Sequence, residues 1–220
     1  MKPEINTGRI AGVLLLLVFA LGVLTFQFLQ SPVLSGVEHF ENVAPHSSRI
    51  IASALTGMAI GSLSILVALT LLPVFRRASE GLAFAYVAFA VTNFVAIAID
   101  TVSVMSILEM SRIYAADSAL AVHSVDSLVT LVYKQQWWTH HLYLLTSCLP
   151  VLVMFSGFYV SRGIPKAISL FGILAAVTMA IGVIGAMLGN GMDDRLFIPI
   201  ALVQVTTPLW LVARGIAVKD

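Results

Sequence analysis

Ile10 to Leu29 reads IAGVLLLLVFALGVLTFQFL, twenty residues without one charge, entered directly from Arg9. A bilayer's hydrocarbon core is about 30 Å thick and a helix rises about 1.5 Å per residue, so a stretch of this length and polarity predicts a membrane-spanning helix. Five more stretches read the same way, at about Ile50 to Phe75, Leu82 to Leu108, Trp137 to Val160, Ile168 to Leu188 and Leu196 to Ala213. Across 220 residues, 59% are hydrophobic and 10% are charged, and the mean hydropathy is +0.99. A water-exposed surface needs roughly a quarter of the chain charged, so a soluble globule is excluded. The expected fold is all-α: an integral membrane bundle of six transmembrane helices forming one domain over 1–220.

The first stretch also resembles a secretory leader, since Lys2 and Arg9 precede an apolar run. Its apolar core is longer than the 7–15 residues of such a leader and no Ala-x-Ala-like site follows, so it is expected to stay attached. A net charge of +1 leaves no basic face for phosphates, which excludes a nucleic-acid partner. A single cysteine, Cys148, excludes an intrachain disulfide and a multi-cysteine metal site.

Orientation follows from the lysines and arginines flanking the spans. One side holds Lys2, Arg9, Arg76, Arg77, Arg162, Lys166, Arg214 and Lys219; the other holds Arg49, Arg112, Lys134 and Arg195. The imbalance predicts that both termini are cytoplasmic. The first outer connection, Ser31 to Arg49, contains Pro32, Gly36 and Pro45 and reads as an ordered loop. The second, Glu109 to Gln136, places Leu120, Val122, Val125, Leu128, Val129 and Val132 at near-helical spacing after Asp117, a suitable cap. It is interrupted by His123 and Asp126, and predicts an interfacial helix lying on the outer face. Trp137-Trp138 mark the membrane interface where the fourth span begins.

Helices in lipid associate through close packing, so small residues four apart mark seams. Ser53, Gly57 and Gly61 form one such seam, and Gly185 and Gly189 another, suited to packing within the bundle or, alternatively, to a homodimer. Pro150 and Pro208 interrupt the backbone ladder inside spans, where each is expected to kink its helix, free a carbonyl and open space; Thr206 and Thr207 are candidates to satisfy such carbonyls.

Ionisable groups within spans are costly and usually face the interior. Asp100 lies about 27 Å along the third span from Leu82, while His140 and His141 lie about 5 Å below the outer start of the fourth, so the three share a depth. Arg49 and Asp193-Asp194-Arg195 lie just above. This predicts a polar layer near the outer face, open to three readings. In the first, Asp100 pairs with His140, His141 or Arg49 to pin helix ends together. In the second, His39, His46, His123, His140 and His141 supply a metal site with Asp100. Adjacent histidines point about 100° apart on a helix, however, and no His-x-x-x-His spacing occurs. In the third, a small lipophilic molecule enters a pocket walled by Trp137, Trp138, Tyr143 and Tyr133, with Asp100, His140, His141 and Arg49 as its polar groups. Catalysis would use His140 or His141 as base and Asp100 as its orienter, but no nucleophile stands in an identifiable setting. Deeper, Asn93 and Gln204 are expected to hydrogen-bond across helices.

Arg9-Ile10-Ala11-Gly12 running into the first span, Ser31-Pro32, Ser161-Arg162-Gly163-Ile164-Pro165-Lys166, and Trp210-Leu211-Val212 with Gly215 together resemble a bacterial multi-pass family catalogued as domain of unknown function 4386. The resemblance implies a compact helical protein of the bacterial cytoplasmic membrane, and brings neither an activity nor catalytic residues with it. The resulting expectation is a non-enzymatic binding or sensing protein with an outward-facing pocket for a small lipophilic ligand or a partner helix. The alternatives are a membrane-embedded enzyme or metal-dependent redox protein using His140, His141 and Asp100, and a small-solute transporter.

Overall fold

In the computed structural model, residues 3–34, 36–116 and 125–217 are described. Lys2, Asp117, Leu120, Val122, His123 and Lys219 lie outside them, as do the side chains of Glu38, His39, Val125, Asp126 and Asp194. Among the described residues the fold is entirely helical, and six helices are long and apolar enough to cross a membrane: Ile5–Leu34, Ser47–Ala78, Glu80–Ala116, Ser127–Ser161, Lys166–Met187 and Arg195–Arg214. They are numbered first to sixth below. The protein is therefore a multi-pass membrane protein, its apolar surface matched to lipid and its backbone polar groups satisfied within each helix.

Each helix packs against its successor, and the first also packs against the sixth, so the six close into a ring in chain order. The seams are made where a glycine admits a neighbour. A Cβ at Gly61 would run into the Phe94 ring, and Gly57 faces Ile97 and Thr101, so this stripe joins the second helix to the third. Gly157 receives the Phe75 ring and Gly172 the Phe155 ring. By contrast, a Cβ on Gly185 or Gly189 would meet nothing within 4 Å.

Most of the residues that carry the family resemblance, Ser31-Pro32 excepted, lie at the end of the bundle that holds the termini. A Cβ on Gly12 would lie 2.9 Å from the Pro208 carbonyl oxygen and from Leu211, and Gly8 abuts Ile216. Gly215 adopts a φ of 70°, open to glycine at little cost, with its α-carbon face against the Ile5 carbonyl. The Ala217 N–H donates to the Gly163 carbonyl at 2.9 Å, tying the C-terminal segment to the loop between the fourth and fifth helices. Ala11, Ile164, Leu211 and Ile216 are buried there.

At the opposite end the described parts of the segment expected as an interfacial helix continue the third and fourth helices. No separate helix lies across the bundle among the described residues. Glu109 to Ala116 prolong the third helix, and Val125 to Gln136 form the opening turns of a helix continuous with the fourth. From Val125 onward that segment is helical, with apolar side chains packed within the bundle. Val129, Val132 and Tyr133 pack with Val104, Ile107 and Leu108 around Phe40 and Val43, from the loop after the first helix. Ser111 secures that loop, donating to the Phe40 carbonyl at 2.9 Å and accepting from the Ala44 N–H at 3.0 Å.

The first helix departs from regular geometry. After Val23 its ladder widens into a π-helix over Leu24–Gln30 before a last α turn at Ser31–Leu34. Such widening is uncommon and concentrates at functional sites. Here it turns Thr25, Phe26 and Gln30 toward the bundle interior: Thr25 Oγ1 donates to Thr56 Oγ1 at 2.7 Å, and Gln30 Nε2 to Ser53 Oγ at 3.3 Å.

Candidate functional site

The third helix buries Tyr86, Ala90, Asn93, Ile97 and Asp100 on one stripe, with the three polar members seven residues apart. Seven residues return to nearly the same face about 10 Å further along, so the interior carries a polar rung at each of three depths. The uppermost is Asp100, 5% exposed. Thr139 donates to its Oδ1 at 3.1 Å, and His140 Nδ1 lies 3.3 Å from its Oδ2. Among the described residues His140 is the only ion-pair partner Asp100 has.

Of the residues expected in this layer, the structure joins Asp100 with His140 and sends the others elsewhere. His141 turns away as its adjacency requires: its Nδ1 meets the Trp137 carbonyl at 2.7 Å and its ring stacks on Trp137 at 3.8 Å. Trp137 and Trp138 contact each other edge to face and are 38% and 47% exposed. Arg49 is exposed at the start of the second helix. Neither tryptophan nor Arg49 lines either of the two spaces described below. His46 is exposed and bonded to the Asn42 carbonyl at 2.8 Å, and among the described residues no three His, Cys, Asp or Glu side chains converge.

The main internal space lies deeper than the layer. A cavity of about 440 Å³ occupies the centre of the ring and is lined by all six helices. Most of its wall is apolar, from Leu15, Val18 and Phe19 on the first helix to Met154, Phe155, Met179 and Val203 on others. Polar groups converge on it from several sides: Gln27, Tyr86, Asn93, Tyr143, Gln204 and Thr207. Asn93 and Gln204 line this space and do not bond each other; Asn93 Oδ1 accepts from Thr146 at 3.3 Å. Thr206 returns its hydroxyl to the Leu202 carbonyl at 2.9 Å, whereas Thr207, 1% exposed, has a hydroxyl with no partner in the protein. Both prolines expected to open space, Pro150 and Pro208, are on the wall.

Toward the termini the cavity is floored by aromatic packing. Phe75 meets Tyr86 at 5.7 Å and Phe158 at 5.1 Å, and both phenylalanines are fully buried. Sideways it is open between the first and sixth helices, where the lining residues Val23, Gln27, Ala201 and Gln204 are exposed. Toward Asp100 it adjoins a second, small pocket of about 20 Å³, lined by Thr25, Gln30, Ser53, Thr101 and Asp100. Phe26, Ile60 and Tyr143 line both spaces. Phe26 stacks on Tyr143 at 6.1 Å and meets the His140 ring edge-on at 5.4 Å.

Sequence reasoning did not single out Thr25, Phe26, Gln27, Gln30, Tyr86 or Thr139. Two signals for them were present. Gln27 and Gln30 are amides at the end of an otherwise apolar span, and Tyr86 precedes Asn93 by the same seven residues that separate Asn93 from Asp100.

No curated protein and no solved structure matches the chain. A family model described as domain of unknown function (DUF4386) matches residues 10–215, nearly the whole six-helix ring, and the chain belongs to that family.

Proposed function

We propose that this is a non-enzymatic binding or sensing protein of a bacterial cytoplasmic membrane, with both termini inside, and that its ligand is a small lipophilic molecule held in the central cavity. The observation that carries the reading is the cavity: about 440 Å³, walled by every helix, mostly apolar, with a few convergent polar groups. Small-molecule sites have that size and character. Its mostly apolar walls disfavour water and favour an apolar occupant. The unpaired Thr207 hydroxyl and the amides of Asn93 and Gln204 favour an occupant with polar atoms over a plain hydrocarbon chain. The lateral opening between the first and sixth helices suits a ligand arriving from the bilayer, and the aromatic floor suits a one-sided site better than a transport path.

Native mass spectrometry of gently extracted protein tests this, beside a Gly22→Leu, Ser147→Leu variant that fills the cavity; a Cβ at Gly22 meets nothing within 4 Å, and both positions are on the wall. The expected result is a bound small molecule retained by the natural protein and lost from a folded variant. A natural protein that carries only bulk phospholipid, in the same amount as the variant, contradicts the reading.

A further inference from the structure

We infer that the ligand is a lipophilic primary amine, its ammonium group seated in the small pocket at Asp100 and its hydrocarbon part in the central cavity. This rests on the cavity being a ligand site, and adds which chemical class that site takes. The two spaces adjoin across Phe26, Ile60 and Tyr143, which line both, so a molecule occupying both would pass between these three side chains. Their chemistry differs in the way an amphipathic amine requires. The small pocket is lined by the polar residues Thr25, Gln30, Ser53 and Thr101 as well as Asp100. A carboxylate has about four acceptor positions. Thr139 and His140 use two, which leaves capacity on the pocket side. Among the described residues no lysine or arginine pairs with Asp100, so nothing there would attract an anionic head, and the carboxylate would repel one. The one ion-pair partner of Asp100 among the described residues is His140, a cation only when protonated; with His140 neutral the carboxylate inside the span has no cation among them, and a ligand's charge is one way of supplying it. Size narrows the class further. A pocket of about 20 Å³ takes one water-sized group, which an –NH3+ matches and a trimethylammonium does not.

The test compares octylamine, octanol and octyltrimethylammonium on the protein in lipid nanodiscs, reading ligand-dependent shifts in melting temperature to obtain apparent Kd values. Octylamine is expected to bind at least tenfold more tightly than either analogue, with the preference lost in Asp100→Asn and reduced in Thr101→Val. Ammonium chloride and sodium chloride alone, at matched ionic strength, should give no comparable shift. Octanol binding as well as octylamine overturns the amine assignment and leaves the cavity reading standing. Equal stabilisation by ammonium or sodium alone also overturns it, in favour of an inorganic cation site. If none of the octyl compounds binds, and filling the cavity changes nothing, both readings fall. Should the Asp100 variant not fold, the amine-to-alcohol ratio in the natural protein and in Thr101→Val still decides.

Discussion

Gly12 is one of the residues on which closure of the ring depends. Its α-carbon faces the Pro208 carbonyl and Leu211 at distances that leave no room for a methyl group, and a backbone carbonyl cannot swing aside as a side chain tip can. Gly12→Ala should therefore destabilise the protein by about 1–3 kcal/mol, the usual cost of forcing an extra carbon into a packed seam. Gly185→Ala, where a Cβ meets nothing, should be neutral or slightly stabilising, because alanine is the better helix former. Melting in a common detergent compares the two, and equal effects would contradict the packing described. At this scale Asp100 was legible because a lone acid inside an apolar span is conspicuous, and its partner His140 followed from shared depth. Which of the two adjacent histidines faced it was not legible, since that depends on the rotation of the fourth helix about its axis. Arg49, equally conspicuous, lies on an exposed turn.

Among the elements, the π-helical stretch of the first helix and the proline-bearing fourth and sixth helices contribute to the cavity wall. Pro150 lacks the N–H that would bond the carbonyl four residues earlier, and the fourth helix carries Tyr143, Ser147, Pro150 and Met154 along the cavity side of that interruption. Pro150→Ala restores the bond and should straighten the helix into the space. The expected outcome is at least a tenfold drop in retained ligand with no fall in melting temperature; unchanged retention would show that the proline does not shape the site. The prolines were visible in the sequence with their consequence for space because a missing N–H acts locally. The π-helical stretch Leu24–Gln30 was not visible, since no residue type marks it; the geometry is held by contacts such as Thr25 with Thr56, across the seam to the second helix. The segment after Glu109 shows the same limit in reverse, because helical spacing cannot say whether a helix continues its predecessor or lies apart from it.

For the molecule as a whole, span number was readable because the bilayer imposes length and polarity on each crossing helix, whatever its neighbours. The ring order and the closure of the first helix on the sixth were not, because they depend on contacts between residues some two hundred positions apart, such as Gly8 with Ile216. The cavity belongs to that same long-range information: each lining residue looks like an ordinary apolar or amide position in its own span, and only closure of the ring makes a common wall. Its occupancy is the central claim, and a photoactivatable aliphatic diazirine applied to membranes containing the protein tests it most directly, with adducts mapped by peptide mass spectrometry. The account predicts saturable labelling of cavity residues such as Tyr143, Met154 and Met179, removed by the Gly22→Leu, Ser147→Leu variant. Labelling confined to the exposed outer positions Leu55, Val102 and Leu188, without saturation, would contradict it.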